Sequence, residues 1–285
     1  MTLEFDKVVP QVERMGRALA ARNITLSERG DYAWQIFSAM HDLDAIQARI
    51  QLARDRDAGF RGAAPLHEPV VQAYPRPAAP ELATILAVDG SQIYPNTHSA
   101  ALFYLTNTGV FVYHHGLDIL PEQITEPVLA YTEALLHDER GQVISNAAVN
   151  ARRTVHEVQA LAREVWNRRA IGRPMLAMTD GPLLFWVGKD VPNGRRLQDD
   201  YLAAMVHLHD AHTALYDASG QSASAIGYID RPTSAFVVSL VYLMSLDADD
   251  VRRAALETNG PLEGLTDQWL MFRLLKPGER SALFV

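Results

Sequence analysis

Cysteine is absent from the sequence, so neither disulfide bonds nor thiol chemistry can contribute to stability or activity. No apolar stretch is long enough to span a bilayer, and the N-terminal stretch MTLEFDKVVP lacks the apolar core of a signal peptide. Net positive charge is lacking too, because 26 lysines and arginines are set against 34 aspartates and glutamates. The first two absences favour a cytoplasmic protein without a membrane contact. The net charge of −8 counts against a protein that binds nucleic acid through overall basicity.

Several motifs of well-defined chemistry are also missing. Neither G-x-G-x-x-G after the first predicted strand nor G-x-x-x-x-G-K-[ST] occurs, which argues against an enzyme that binds a nucleotide or a sugar phosphate. There is no G-x-S-x-G elbow for a serine hydrolase and no H-E-x-x-H motif for zinc. Histidines at positions 98, 114, 115, 207 and 209 lack a second pair at metal-site spacing, so we interpret them as surface or core residues.

Hydrophobic residues make up 48% of the 285 positions, which is enough for one large domain or two smaller ones. Residues 1–57 carry apolar side chains three and four positions apart and predict a helical hairpin with its break between Asn23 and Gly30. Because such stripes need a covering surface, we expect a structural role in self-association or partner docking. Residues 58–81 predict a Pro/Gly-rich connector, and residues 82–285 predict the main domain.

The stretch LATILAVDGS at 82–91 organises the predicted main domain. Its run Thr84–Val88 predicts a buried strand, which ends in Asp89-Gly90. Residues 101–105 and 110–113 predict two further strands joined by a hairpin turn at 106–109, so that three successive strands open the domain. The segment 121–138 is ambiguous between helix and strand.

Helices and strands alternate in the rest of the chain. The patterns predict a helix over Asn146–Arg169, a strand over Met175–Thr179 that ends in Asp180-Gly181, a helix over Arg195–Tyr216, a strand over Ser224–Ile229, and an apolar helix over Thr233–Leu246. Short helices and a strand-like run over Ser281–Val285 follow. This element order is that of a ribonuclease H-like α/β fold, a mixed sheet flanked by helices, here with an N-terminal helical hairpin. A flavodoxin-like or Rossmann domain differs from it mainly in the opening strands, but the nucleotide fingerprints of those folds are missing.

Asp89 and Asp180 each follow a short predicted strand. If those strands are neighbours in one sheet, the two carboxylates face each other across a strand spacing of about 5 Å and repel unless they share a proton or a cation. Mg²⁺ or Mn²⁺ would relieve that repulsion, and Glu157 on the intervening helix can reach the same point if the helix crosses that face. Two cations about 3.5–4 Å apart would stabilise the attacking and leaving oxygens of a phosphodiester displacement.

Each of these residues also has a plainer interpretation. Asp-Gly is common turn chemistry, so either aspartate could simply begin a turn or cap an element. Arginines and lysines cluster around Glu157 and Asp180 and could contact phosphates near the acidic site, or they could form solvated helix faces. The clusters are Arg152 and Arg153, then Arg168, Arg169 and Arg173, then Lys189, Arg195 and Arg196.

Five stretches together resemble the NurA nucleases. They are AVDGSQI at 87–93, VNARRTVHEV at 149–158, MTDGPLLFW at 178–186, GYIDRPTS at 227–234 and LLKPGERSALF at 274–284, and they follow the order of the family. The resemblance implies a ribonuclease H-like nuclease domain that depends on Mn²⁺ or Mg²⁺. It implies 5′→3′ exonuclease and single-strand endonuclease activity in DNA end resection and double-strand break repair. It also implies a homodimer that works with a HerA-type hexameric ATPase, which is a translocase.

The same resemblance assigns roles to individual residues. It implies that Asp89 in DGS, Glu157 in the R-x-x-x-E helix and Asp180 in TDG are catalytic metal ligands. It implies a further metal ligand at Asp267 in LTDQW. The residues expected to contact DNA are Ser91, Arg152, Arg153 and Arg231.

The C-terminal end departs from the family pattern. Family members continue past the GERS strand with further strands and a functionally important histidine, whereas this sequence stops at Val285. The resemblance therefore predicts that the chain is truncated or that the histidine comes from elsewhere. The alternative to a nuclease is a non-catalytic NurA-like subunit that binds a translocase or DNA. The presence of Asp89, Glu157 and Asp180 favours the nuclease.

Overall fold

A computed structural model describes residues 4–138, 141–189 and 191–285, which form two compact units. One unit is Ala79–Asp230, and the other combines Met1–Ala78 with Arg231–Val285. The helices are α1 (Phe5–Phe37), α2 (Leu43–Asp55), α3 (Glu133–Leu136), α4 (Asn146–Arg168), α5 (Gly194–Ser219), α6 (Phe236–Ser245), α7 (Arg253–Leu256) and α8 (Asp267–Leu274). The strands are β1 (Tyr74–Pro75), β2 (Ala83–Ile93), β3 (Tyr104–His115), β4 (Glu122–Ala130), β5 (Met175–Asp180), β6 (Ala223–Tyr228) and β7 (Glu279–Arg280).

A mixed sheet forms the centre of the unit Ala79–Asp230, and within the described residues it has five strands. The strand order is β4-β3-β2-β5-β6. Strand β3 runs antiparallel to both β2 and β4, while β5 runs parallel to both β2 and β6. A parallel pair needs a long crossover, and α4 and α5 supply the connections that lead into β5 and β6. The predicted ribonuclease H-like fold class is therefore confirmed.

Helices α4 and α5 pack against this sheet and bury its apolar side chains. Leu86 and Val88, alternate residues of β2, share the core with Val158 and Leu161 of α4. Successive side chains of a strand point to opposite faces, so the burial of Val88 leaves the next residue, Asp89, on the exposed side. Burial thus places the first acidic residue where a ligand can reach it.

The strands that open this unit differ from the prediction. The predicted hairpin turn at 106–109 is wrong, because β3 continues through it and pairs with β2 over the whole of β2. Thr106 and Thr108 are buried within the sheet, and this environment outweighs the local turn preference of Asn107 and Gly109. The third strand, β4, comes from the segment that the sequence leaves ambiguous.

The other unit is mainly helical and has a core of its own. Phe37 of α1 and two residues of α2, Ile46 and Ile50, pack in one cluster with Leu240 of α6 and Leu270 of α8. Both ends of the sequence therefore contribute to a single core, since each segment covers apolar side chains of the other.

Helix α1 is continuous, so the predicted break between Asn23 and Gly30 is wrong. Gly30 instead allows the ring of Trp269 to pack closely against the backbone of α1. A Cβ atom added at this position would lie only 3.0 Å from Cε3 of Trp269. The chain leaves the helix after Phe37. Helix α2 then begins where Asp42 accepts a hydrogen bond from a backbone N–H of the first turn at 3.0 Å.

The predicted C-terminal strand over Ser281–Val285 is confirmed only in part. Its last residues form an isolated antiparallel bridge, in which Phe284 pairs with Pro65 and Val285 exchanges backbone hydrogen bonds with Ala64. The short strand β7 lies just before this run and pairs with β1. The Arg280 guanidinium donates to both carboxylate oxygens of Glu68, at 2.7 and 2.8 Å, and lies 4.8 Å from the ring centre of Tyr74. These hydrogen bonds hold the pKa of Glu68 down at about 2. The Arg280 of the GERS stretch therefore has a packing role in this unit.

The predicted domain limits at residues 57 and 81 stay a prediction, but the compact units divide the chain differently on its C-terminal side. Helices α6 and α8 pack with α1, whereas the prediction groups them with the sheet. The reason is the apolar composition of α6, which is covered by α1 and α2. In the part of the chain that the structure describes, no helix is both long and apolar enough to cross a membrane.

Candidate metal centre

Asp89 and Asp180 are brought together by the parallel pairing of β2 with β5. Val88 lies opposite Thr179 in this ladder, so each aspartate directly follows the last residue pair. Both carboxylates line one cleft of about 610 Å³. Asp89 Oδ1 also accepts a hydrogen bond from the backbone N–H of Gly90 at 2.7 Å, which orients the side chain. The neighbouring strands that the metal hypothesis requires are therefore present.

Glu157 reaches this region from α4, where only 8% of the residue is exposed. A Cβ atom added at Gly90 would lie 2.2 Å from Glu157 Oε1, so the carboxylate occupies the space left by that glycine. The pKa of Glu157 is raised to about 7, chiefly by burial. Arg153 acts in the opposite direction, and the charges of Asp89 and Asp180 raise the pKa further. The three carboxylates therefore interact electrostatically.

Arg153 is the counter-ion of Glu157 and lies one helical turn before it. Its Nε is 3.0 Å from Glu157 Oε1, although the contact lacks hydrogen-bond geometry and is an ion pair only. Nη1 of the same side chain donates to the carbonyl of Gly90 at 3.1 Å. A guanidinium thus neutralises part of the negative charge of the acidic cluster.

A series of hydrogen bonds between β2 and α4 holds Arg153 in place. Arg153 Nη1 donates to Gln92 Oε1 at 2.7 Å, Gln92 Nε2 donates to the Tyr94 hydroxyl at 2.8 Å, and that hydroxyl donates to Asn150 Oδ1 at 2.8 Å. Gln92 and Tyr94 are not among the site residues predicted from the sequence. Gln92 stands in the AVDGSQI stretch and could have been suspected, whereas the partners of Tyr94 are known only from the tertiary structure.

The chemistry of these residues fits a divalent cation, since three carboxylates form a donor set that hard cations prefer. Glu157 Oε1 and Thr179 Oγ1 are buried without a hydrogen-bond partner in the protein, which costs free energy unless another partner is supplied. A second cleft, of about 470 Å³, is lined by Glu157, Asp180 and Thr179, and the last two also line the first cleft. Asp180 therefore stands where the two clefts meet.

The carboxylates do not form a finished cation cage. Across the ranges that the structure describes, no three histidine, cysteine, aspartate or glutamate side chains are grouped closely enough to hold a metal ion. The ion pair with Arg153 gives a physical reason, because it holds Glu157 to its own helix. That Asp89, Glu157 and Asp180 bind one cation therefore stays a prediction.

The residues expected to contact DNA have different surroundings. Ser91 lines the first cleft together with Asp89. Arg152 donates to the Tyr104 hydroxyl at 2.7 Å and to the Leu135 carbonyl at 2.8 Å, so its guanidinium is used within the fold. Arg231 is the first residue of the second segment of the other unit. A DNA contact of these residues stays a prediction.

Asp267, expected as a further metal ligand, belongs to the other compact unit. Its Oδ2 accepts hydrogen bonds from the Ser234 hydroxyl at 3.0 Å and from the Phe236 N–H at 3.1 Å. Its Oδ1 accepts one from the Val238 N–H at 2.9 Å. These contacts satisfy backbone donors at the beginning of α6, so the observed role is that of a helix cap. Binding of a metal by Asp267 stays a prediction without support from these contacts.

The basic clusters near the site are partly structural. Arg168 pairs at 2.5 Å with both Glu122 and Glu164, and the Arg169 guanidinium lies 3.9 Å from the ring centre of Trp166. The contact with Glu122 links the end of α4 to β4, whereas the contacts with Glu164 and Trp166 lie along α4. The side chains of Lys189, Arg195 and Arg196 are exposed and follow the second cleft in the sequence.

A comparison with known protein families matches residues 83–285 to the NurA domain. The chain belongs to the NurA family. The match includes the segments that carry Asp89, Glu157 and Asp180, in agreement with the resemblance of their motifs. The three acidic residues therefore lie within the NurA domain.

Two solved NurA structures are distant likenesses. One is the NurA nuclease from Sulfolobus solfataricus, at 8% identity and a TM-score of 0.38, with 86% of this chain and 68% of that chain covered. The other is a NurA solved with manganese, at 13% identity and a TM-score of 0.22, with coverages of 61% and 40%. No curated protein matches the sequence. The family assignment therefore rests on the domain match.

Proposed function

We propose that this chain is a metal-dependent deoxyribonuclease that hydrolyses phosphodiester bonds. The observation that carries the proposal is Glu157, a buried carboxylate that lines the second cleft with Asp180 and interacts electrostatically with Asp89. Its pKa is raised to about 7. Like charges gathered in one place destabilise a protein unless a cation neutralises them, and active sites are where such clusters are kept. The match to the NurA domain supports the same reaction.

Asp89, Glu157 and Asp180 are the residues that would hold the cation, Mn²⁺ or Mg²⁺. When bound, such a cation activates water and stabilises negative charge on phosphate oxygens. The residues of the chain contribute position and charge balance. Gly90 leaves the space in which the Glu157 carboxylate lies, and Arg153 balances the charge of that carboxylate in the metal-free protein.

DNA is the proposed substrate, with 5′→3′ exonuclease and single-strand endonuclease activity in DNA end resection and double-strand break repair. The family match supports this choice of substrate. The first cleft supports it as well, because it opens beside Asp89 and is lined by hydrogen-bonding side chains that include Ser91 and Asn107. Ser91, Arg152, Arg153 and Arg231 are the proposed DNA contacts.

A homodimer that works with a HerA-type hexameric translocase is the proposed assembly. The first half of α1 supports a docking role, because it carries an exposed apolar stripe. The stripe consists of Phe5, Val9, Val12, Met15 and Leu19. Side chains at this spacing lie on one side of a helix and suit packing against another helix.

The proposed reaction is tested with end-labelled single- and double-stranded DNA in Mn²⁺, Mg²⁺ or EDTA. We expect wild-type cleavage with a divalent cation and none in EDTA. Asp89→Ala should lower the rate by several orders of magnitude, because it removes one of the three carboxylates. The variant should keep its metal-free melting temperature, since Asp89 is exposed and its loss relieves repulsion with Glu157.

Asp217→Ala provides the matched control, because Asp217 is an exposed aspartate of α5 that lines neither cleft. It should cleave at the wild-type rate. Near-normal cleavage by Asp89→Ala would contradict the catalytic role of Asp89.

A non-catalytic subunit that binds a translocase or DNA is the second candidate. Two observations favour it: the described residues contain no ready-made metal cage, and Arg153 is paired with Glu157. A wild-type protein that binds DNA but stays inactive in Mn²⁺ with its translocase present would establish this alternative.

A further inference from the structure

The segment that follows β5 carries an exposed tryptophan next to the acidic cluster. Trp186 lines the second cleft together with Glu157 and Asp180, and 82% of its surface is exposed. By contrast, Trp34 and Trp269 pack in the core of the other unit. An indole is among the most costly side chains to leave in water, so its exposure at a cleft indicates a contact surface.

The loop that presents Trp186 is held by its neighbours. The ring of Phe185 stacks on Tyr201 of α5 with 4.8 Å between ring centres and an angle of 20°. The Tyr201 hydroxyl donates to the Leu183 carbonyl at 2.8 Å. Phe185 thus turns inward to pack, while the next residue, Trp186, turns outward. The contacts of Leu183 and Phe185 hold this loop in place, and they leave the indole of Trp186 exposed.

The cleft beside Trp186 is lined by aromatic, neutral polar and acidic side chains. Its volume of about 470 Å³ lies in the range that small ligands occupy in proteins. Asn150 and Thr154 supply polar side chains, and the carboxylates of Glu157 and Asp180 lie in the same wall. The chain continues beyond Trp186 to the exposed basic residues Lys189, Arg195 and Arg196.

Aromatic rings and basic side chains together are the chemistry that binds single-stranded nucleic acid. Every nucleobase has a flat face that stacks on an aromatic side chain, and basic residues bind the phosphate backbone. A base inside a duplex is already stacked and paired, so it cannot offer its face to an indole without being unpaired first. The arrangement therefore selects unpaired DNA.

We propose that Trp186 stacks on an unpaired nucleobase of single-stranded DNA and holds the strand in the cleft beside Asp180 and Glu157. The inference rests on the proposed nuclease function and adds a binding residue for its substrate. The basic residues at the beginning of α5 bind the backbone of the same strand. The preference for single strands comes from the indole.

The test measures DNA binding to the full chain in EDTA, where no cleavage occurs. The probes are a fluorescently labelled single-stranded oligothymidine and a blunt-ended duplex, which has no single-stranded overhangs. Trp186→Ala should weaken single-strand binding about tenfold and change duplex binding little, since stacking on one base contributes on this order. Trp186→Phe should restore most of the affinity, because a phenyl ring also stacks. Quenching of tryptophan fluorescence on binding should be smaller in Trp186→Phe than in wild type.

Tyr131→Ala is the matched control, since Tyr131 is an aromatic residue of the same unit, is 68% exposed and lines neither cleft. It should bind both probes as the wild type does. Unchanged single-strand affinity in Trp186→Ala would overturn the proposal, while leaving the nuclease function intact if wild type still cleaves DNA. A loss of self-association in place of DNA affinity would assign Trp186 to a protein interface. Wild-type protein that neither binds nor cleaves DNA would overturn the proposed function itself.

Discussion

Glu157 combines deep burial with two acidic neighbours, and both raise the free energy of its ionised form. Arg153 offsets only part of this effect, because the pKa of Glu157 is still raised to about 7. A proton therefore competes with a cation for Glu157 in the metal-free protein near neutral pH. A cation would have to displace that proton, which links metal affinity to pH.

Replacing Glu157 with glutamine should stabilise the metal-free protein at high pH. A carboxyl whose pKa is raised on folding holds its proton in the folded state after the unfolded state has lost it. Its contribution to stability is therefore complete below the unfolded value of 4.5 and is lost as pH rises through about 7. Glu157→Gln removes this loss, which amounts to roughly 3 kcal/mol at most.

The measurement is urea unfolding of wild type and variant in EDTA at about pH 5 and pH 8, either side of the shifted pKa. The advantage of Glu157→Gln should grow from the lower to the higher pH. The exposed Glu81→Gln serves as control and should show no such growth. A difference that is the same at both pH values would contradict the burial argument.

Asp267 ties two helices together, since it belongs to α8 and accepts hydrogen bonds at the beginning of α6. Helix α6 has an alanine at its N-cap, without a side-chain hydrogen bond of its own, so a residue distant in sequence provides the cap. Burial raises the pKa of Asp267, and its hydrogen bonds act in the opposite direction. The contact explains why an aspartate stands at this position without invoking a metal.

Asp267→Ala should destabilise the protein by about 1–3 kcal/mol, because it leaves the N–H groups of Phe236 and the buried Val238 at the beginning of α6 without a partner. Urea unfolding measures the loss, and Mn²⁺ titration of the folded variant should give wild-type affinity. Asp249→Ala, an exposed aspartate of the same unit, should leave stability unchanged. Full stability of Asp267→Ala together with weaker Mn²⁺ binding would instead support the metal ligand implied by the family resemblance.

Among the described residues, each compact unit buries its apolar side chains against residues of the same unit. The sheet and its helices come from one continuous segment, Ala79–Asp230. The other unit is built from both ends of the chain. Removal of residues 1–57 would therefore expose apolar residues of α6 that pack with α1 and α2.

A fragment of residues 79–230 should fold cooperatively, whereas a fragment of residues 82–285, the predicted main domain, should expose apolar surface. The reason is that Leu240 and Leu243 of α6 lose the cover of Phe37, Ile46 and Ile50. Circular dichroism during thermal unfolding and binding of a hydrophobic dye distinguish the two fragments. A soluble, cooperatively unfolding 82–285 fragment without dye binding would show that the N-terminal helices are dispensable.

The local sequence pattern was sufficient to predict elements whose apolar residues face one core and whose ends are marked by a capping residue or a glycine. The predicted helix over Asn146–Arg169 corresponds to α4, and the strand before Asp180 corresponds to β5. Pattern failed at 106–109 and at Gly30. There the local preference for a turn or a helix break was outweighed by partners distant in sequence, the strand β2 and the indole of Trp269.

The sequence by itself determined the fold class and the family, and it named Asp89, Glu157 and Asp180 as candidate site residues, because strand-end aspartates and family motifs are short stretches that can be recognised without their surroundings. Only the tertiary structure decided what surrounds them. It placed Arg153 against Glu157, assigned Asp267 to a helix cap and left Trp186 exposed at a cleft. Such features depend on contacts between residues far apart in the chain, and burial of those contacts sets the charge and exposure of each side chain.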